Sequence, residues 1–445
     1  MSGIARLTRR RMLGASIAGA AALSQGHGLQ QAIAARKAPV TLQASGKLTY
    51  WVGITLSEKA DNMIVDAINE WGDANNVDTE VTLVNVNDMN QKIAAAVESG
   101  TMPDGFDLGL DLLLLLSNQK DILAPVDDIF GTLADAQGGW YDTFAKATDT
   151  TAIAGARTGI PFGASGNLLF RRIDALKGVG LTEAPATWDD LVSQAVAVNE
   201  PPLYGLGLAV SNVGDGNLQI SVLQSYGGRI ADDAGTTVTI KSDATRTYLE
   251  WIKNAWDQGI FPPGAATWDG QGDNQAYLSG QAAFIANTGS VANAAKVDDP
   301  ELYAATGYSP LPAGPVLHIS QVSCQNRAVS ADGNVEAAKA VIEALAAPEL
   351  MQEYYKTAIW GPVLKNQASF EIFNGDDPVH VGLRELVENG TPPGSPDVYN
   401  TAYGDFSANF IVPKMIQRVL IDGYEFDKAM DEAQTAGQAI YDKYK

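Results

Sequence analysis

The amino-acid sequence predicts an α/β protein, and three observations carry that reading. Short β-branched or apolar runs alternate with amphipathic stretches through the first half; well-formed helix caps punctuate the second half; and no internal repeat, heptad or low-complexity linker interrupts either. Alternation of this kind favours parallel strands flanked by helices, with ligands bound beyond the strands' carboxyl ends.

The elements follow in order. Leu48 to Val52 reads as a strand, and Met63, Ile64, Ala67, Ile68 and Trp71 recur at helical spacing. Val81 to Val86 is a second strand, and Met89 to Val97 a second helix with Gly100 as its stop. The apolar run Leu112 to Leu116 is too short for a membrane span and reads as a buried strand or helix segment. Thr187-Trp188-Asp189-Asp190 forms a capping box: the threonine hydroxyl accepts from the amide three residues on, and the Asp190 carboxylate reaches back. Ser242 or Asp243 caps a helix carrying Tyr248, Leu249, Ile252 and Trp256 and ended by Gly259, after which Pro262-Pro263-Gly264 forces an irregular loop. Asn334 caps another, with Val335, Ala338, Val341, Ile342 and Leu345 on one face, and 427–444 makes a terminal helix.

The amino terminus reads as an export signal. Thr8-Arg9-Arg10-Arg11-Met12-Leu13 precedes an apolar stretch to Leu23, and Ala32-Ile33-Ala34 supplies a small-x-small cleavage site. Paired arginines followed by Met and Leu suit the twin-arginine route, which carries folded proteins. Gly14, Ser16 and Gly19 break the apolar stretch, which falls short of the roughly 20 residues that span a bilayer. Loss of 1–34 removes four arginines and no acid, taking the formal charge from −22 to −26. So acidic a surface repels nucleic acid and anionic lipid. Cys324 is the only cysteine, so no internal disulfide forms, and no cysteine follows the signal to accept a lipid. The expected product is exported, free in the periplasm and monomeric.

Catalytic signatures are missing. The sequence has no His-x-x-Glu-His, Gly-x-Ser-x-Gly or Gly-x-x-x-x-Gly-Lys motif, and beyond the signal only His318 and His380 occur. The pairs Asp127-Asp128, Asp298-Asp299 and Asp376-Asp377 lie in turn-rich contexts and read as solvated loop charge, so neither metal nor cofactor is expected.

A specific order of features begins at 91–112, QKIAAAVESGTMPDGFDLGLDL, and continues with NQKDILAPVDD at 118–128. GIPFGASGNLLF follows at 159–170, VGLTEAPATWDDL at 179–191, YLSGQAAFIANTGS at 277–290, SPLPAGP at 309–315 and APELMQEYYKTAIWGPV at 347–363. Collinear over nearly all the mature chain, these resemble the extracellular solute-binding proteins of bacterial ABC importers, in the sugar-binding group that includes maltose-binding proteins. The chain departs from that family's pattern at Phe170-Arg171-Arg172 and at Ser290. The resemblance implies a two-lobed periplasmic binding protein fold, each lobe a mostly parallel sheet flanked by helices and joined by crossing hinge segments. The implied lobes are 35–157 with 289–334, and 158–288 with 335–445. It further implies capture of a sugar, oligosaccharide or polyol and delivery to ABC transporter permease subunits, without catalysis.

A sugar receptor needs flat aromatic platforms beside carboxylates and amides. Candidates at expected loops are Trp51, Asp111, Ser165 on the crossing strand, Asp215 and Asn217 in SNVGDGN, Trp268 and Asp269, Asn287, Thr288 and Ser290 in ANTGS, Trp360, Tyr403 and Asn409. Trp51 closes a strand and reads equally as core, Asp215 and Asn217 equally as turn residues, and Trp360 equally as hinge support. Asp111 lies between Leu110 and Leu112, where a buried carboxylate costs several kcal/mol unless a donor meets it, and it matches a ligand-binding aspartate of the family. Arg171 and Arg172 are the clustered cations an anionic ligand would need. An exported glycoside hydrolase, which requires two facing carboxyls, and a chemosensory receptor are the competing functions.

Overall fold

The computed structural model describes residues 46–445 except 56, 120 and 151–154, so the expected export signal lies outside the described residues. The named strands are β1 (Lys47–Ile54), β2 (Asp78–Asn85), β3 (Gly105–Gly109), β4 (Gly159–Ser165), β5 (Leu168–Arg172), β6 (Tyr204–Leu206), β7 (Ala282–Asn287), β8 (Thr306–Ser309) and β9 (Ser323–Val329). They form a five-stranded sheet ordered β2-β1-β3-β9-β4 and a four-stranded sheet ordered β6-β7-β5-β8.

Alternation in β1 buries Leu48, Tyr50 and Val52. Ser57 then caps the helix Glu58–Asn75, which lays Ile64, Ala67, Ile68 and Trp71 into the same core, and Asn76 stops it in the left-handed region at φ 56°. The second strand starts at Asp78, three residues before the expected Val81, because in-register pairing with Lys47 begins there. Leu112 to Leu116 belongs to a helix, Leu110–Ser117, with Leu110, Leu113, Leu114 and Leu116 buried.

The chain passes from the first sheet to the second within Gly166 and Asn167, between β4 and β5. Gly166 is needed there, since a Cβ would lie 2.5 Å from the Gln321 carbonyl oxygen. A return leads from β8 to β9 through 310–322. A last passage follows Thr391, which bridges Gln321, into the helices Thr401–Ala408, Ile411–Leu420 and Phe426–Tyr441. The 159–170 stretch therefore crosses between sheets, as its resemblance implied.

Two expectations need correction. The sheets are mixed, with β1·β2, β1·β3 and β6·β7 parallel but β3·β9, β4·β9, β5·β7 and β5·β8 antiparallel, because each crossing segment enters its new sheet from the opposite direction. Sheet membership also departs from the expected lobe boundaries. β4 sits in the first sheet and β8 in the second, and the helix Val335–Leu345 packs on β1, β3 and β9, while β9 itself lies in the first sheet as expected. A crossing strand changes sheet only where its hydrogen-bond partners change, which is at 166–167 and not at 157–158.

The second core gathers one face of the four-stranded sheet and the carboxyl-terminal helices. The capping box forms as expected, with Asp190 N–H donating to Thr187 Oγ1 at 3.1 Å and Thr187 N–H to Asp190 Oδ2 at 3.0 Å. It starts the helix Trp188–Val198, whose Trp188 is buried edge-on against Trp251, centroids 5.9 Å apart. Among the described residues no helix is long and apolar enough to cross a membrane. Trp188→Ala is expected to cost about 3–5 kcal/mol, read as a lowered urea midpoint, because little around a 1 % exposed indole can collapse into its space.

Candidate binding cleft

A concavity of about 280 Å³ opens at the carboxyl ends of β1 and β3, lined by Gly53, Thr55, Asp107, Asp111, Phe162, Ser323, Gln325 and Trp360 among others. Hollows of about 560 and 450 Å³ elsewhere run along the outer surfaces of Glu58–Asn75 and Ile411–Leu420, away from the strand ends.

Asp111 stands in the first turn of the helix that follows β3, where a negative charge meets the positive end of the helix. It is reachable from solvent through the mouth of the concavity, yet the protein crowding its carboxyl pushes it above the ordinary carboxylate range; the Tyr399 hydroxyl, which donates to Oδ1, opposes that rise. Tyr399 packs against both cores. Beside this contact, the Asn118 amide donates to the Thr401 hydroxyl.

Trp360 lies on the backbone of β4, for a Cβ on Gly163 would come within 2.7 Å of its ring. It meets Phe162 edge-on at 6.4 Å, and its Nε1 donates to the Tyr354 hydroxyl at 3.2 Å. Below, the Asp107 carboxylate accepts from the Tyr50 hydroxyl at 2.9 Å and from Gly53 N–H at 3.3 Å, with Arg327 Nε 3.6 Å away. Burial drives its carboxyl upward, and Arg327 is the first influence acting against that.

A second polar group forms around the loops of the four-stranded sheet. Asn287, at the end of β7, donates to Asp273 Oδ2 at 3.2 Å and Asn274 Oδ1 at 2.6 Å, and its own oxygen accepts from Gly289 N–H and the Ser290 hydroxyl. Trp268 is wedged between Gly264 and Gly272, either of which would strike it with a Cβ, while Asp269 stays exposed and accepts from Gln271 N–H. Asp215 belongs to the same acidic neighbourhood. It is reachable from solvent, yet the protein crowding its carboxyl first, then Asp273 and Asp269, push it up to about 7. Asn217 donates to the Ser407 carbonyl at 3.2 Å, and its Oδ1 has no hydrogen-bond partner among the described residues.

Of the sequence candidates, Asp111 and Trp360 line the concavity, and Ser165 pairs with its lining residue Ser323. Asp215, Asn287, Ser290, Trp268 and Asp269 gather on the second sheet's loops, with Thr288 exposed between β7 and the next helix. Trp51 lies within β1 beneath Lys92, whose ammonium is 4.5 Å from its ring, and does not line the concavity. Tyr403 is buried at 5 % exposure in the second core, and Asn409 ends a helix bonded to Asp405. Neither arginine proposed for an anion lines the concavity: Arg172 is held by Asp174 and Arg171 lies over Gly307. Sequence reasoning missed Asp107, Phe162, Gln325 and Tyr399. Asp107 carries the signal that picked out Asp111, an acid between the apolar residues Phe106 and Leu108.

Residues 55–352 match the family model described as bacterial extracellular solute-binding protein, and the chain belongs to that family. Among curated relatives, a putative binding protein of Brucella abortus is 23% identical over 227 residues, covering 51% of this chain and 53% of its own. The chain thus matches about half the length of such relatives. Its fold is that of two-lobed periplasmic binding proteins. Maltose-bound MalE3 of T. maritima is similar with a TM-score of 0.76 at 17% identity, over 89% of this chain and 100% of that one. A solute-binding protein of an ABC transporter from Agrobacterium radiobacter K84, solved with ribitol, gives 0.71 at 20% identity over 89% and 99%. The GacH receptor of Streptomyces glaucescens, solved unliganded and with acarbose, gives 0.73 at 21% over 90% and 100%. The family and these neighbours are binding proteins and not enzymes.

The raised carboxyl of Asp215 has a pH consequence. A carboxyl whose folded value lies above its ordinary 3.8 stabilises the fold most at low pH, and that contribution is lost as pH rises through about 7. Asp215→Asn should therefore flatten the fall in melting temperature between roughly pH 4 and pH 7. Parallel melting curves for parent and variant across that window check it.

Proposed function

We propose that this protein is the substrate-binding component of an ABC importer, capturing a neutral sugar, oligosaccharide or polyol between its two lobes and delivering it intact to membrane permease subunits. The observation that carries the reading is the concavity at the strand ends, where the Asp111 carboxylate and the Gln325 amide stand beside Phe162 and Trp360. A sugar presents hydroxyls at its rim and C–H groups on its faces, and this mixture of acceptors and flat apolar surface meets both. The placement of Arg171 and Arg172 away from the concavity favours an uncharged guest over an anion.

The polar loop group at Asp215, Asn217, Trp268, Asp269, Asn287, Thr288 and Ser290 supplies the facing wall. Closure bends the chain at Gly166–Asn167, at 310–322 and near Thr391, the segments that join the sheets. The first lobe is then 46–165 with 323–390, and the second 168–309 with 392–445. The protein works as a periplasmic monomer exported by the twin-arginine route, without cofactor and without cleaving its cargo.

Thermal-shift screening with maltose, ribitol and acarbose tests this. A ligand at a hundredfold excess over Kd raises stability by about 2.7 kcal/mol, and recovery of the sugar uncleaved excludes hydrolysis. Asp111→Ala and Trp360→Ala should each weaken binding by about 1–3 kcal/mol in calorimetric titration. No stabilisation by any neutral sugar or polyol, or affinity unchanged from the parent in both variants, refutes the assignment.

A further inference from the structure

We propose that Asp107 is a ligand-contacting residue, its carboxylate forming the floor of the strand-end concavity and accepting a hydroxyl from the inserted end of the sugar or polyol. The inference rests on the sugar-binding reading above and extends it to the chemistry at the bottom of the site.

Asp107 sits on β3, between β1 and β9 in the five-stranded sheet, and is 4 % exposed. A carboxylate so placed is costly unless its acceptor sites, about four in number, are met by donors. Oδ1 is served by the Tyr50 hydroxyl and faces Arg327. Among the described residues Oδ2 takes Gly53 N–H alone, at 3.3 Å. Gly53, the donor to Oδ2, and Asp107 itself both line the concavity.

The partner charge is poorly matched for a purely structural pair. Arg327 lies directly across from Asp107 in the β3·β9 register and is 1 % exposed, yet its Nε stays 3.6 Å from Oδ1, and Nε and Nη2 have no hydrogen-bond partner among the described residues. Buried ion pairs are often replaceable by apolar residues without loss of stability, so a pair this loosely matched is poorly explained by stability alone. It lies beside the concavity, where Phe162 covers the guanidinium at 4.3 Å and itself lines the site. Arg327 balances the charge of Asp107, leaving a hydrogen-bond acceptor whose charge is offset from behind. With Asp111 on the same wall, the inserted end of the ligand meets two carboxylates, which reject an anionic group and suit adjacent hydroxyls.

The test is calorimetric titration of parent and Asp107→Asn with maltose or ribitol, whichever the parent binds, and with the mono-deoxy analogues of that compound. The variant should bind the full ligand roughly tenfold to a hundredfold more weakly. It should bind one deoxy analogue, the one lacking the hydroxyl that Asp107 reads, as well as the parent does. Equal weakening for every analogue would mark Asp107 as structural and overturn the proposal, as would unchanged affinity for the full ligand. Should Asp107→Asn not fold, the double variant Asp107→Asn with Arg327→Met removes both buried charges and is read in the same comparison. If the parent binds no neutral sugar or polyol in the thermal-shift screen, the sugar-binding reading falls and this one with it; if the parent binds one and the analogue pattern is flat, only this one falls.

Discussion

The five-stranded sheet is incomplete until Ser323–Val329 returns to lie between β3 and β4. Without that strand, a row of backbone N–H and C=O groups on both neighbours would be left in the core unpaired, which a folded protein does not tolerate. Everything between β4 and β9 must therefore be accommodated as a second folded body inserted in the first. That one pairing requires the chain to leave at Gly166–Asn167 and to come back through 310–322. It also brings into one concavity residues as distant in sequence as Asp107, Phe162, Gln325 and Trp360.

The electrostatics of the cleft follow from the same arrangement. Carboxylates at strand ends and helix starts are crowded by two sheets' worth of protein, and burial pushes Asp107, Asp111, Asp215 and Asp273 all above the ordinary range. Donors are supplied one by one to oppose this: Arg327, Tyr50 and Gly53 to Asp107, Tyr399 to Asp111, Asn287 to Asp273. In the proposed function this excess of acceptors, held by donors from behind, is what a hydroxyl-bearing guest would complete. The Asp111–Tyr399 and Asn118–Thr401 contacts tie the helix after β3 to the segment that packs on the second core. Under the proposed function, ligand capture and the tie between the two cores share the Asp111 carboxylate.

Local features were legible from the residues. The capping box at Thr187, the caps at Ser242 and Asn334, the amphipathic faces at Ile64 to Trp71 and the crossing stretch at 159–170 depend on neighbours a few positions away, and their spacing declares them. Asp111 stood out because an acid among leucines needs a reason. Asp107 carries the same signal inside a strand, and for Trp51 the core and platform readings stay equal in sequence because a tryptophan at a strand end looks the same whether the next layer is solvent or the Lys92 stem.

Alone, the sequence determined the alternation of elements, their caps, the acidic surface and the membership in a family of solute-binding proteins, all of which rest on contacts within one or two helical turns or on collinear motifs. Only the tertiary structure decided which sheet each crossing strand joins, that the sheets are mixed, and that Asp107 and Arg327 face each other across β3 and β9. The physical reason is that strand partnership and burial are long-range choices: a strand's pattern says that one face must be covered, and nothing in it names the partner that covers it.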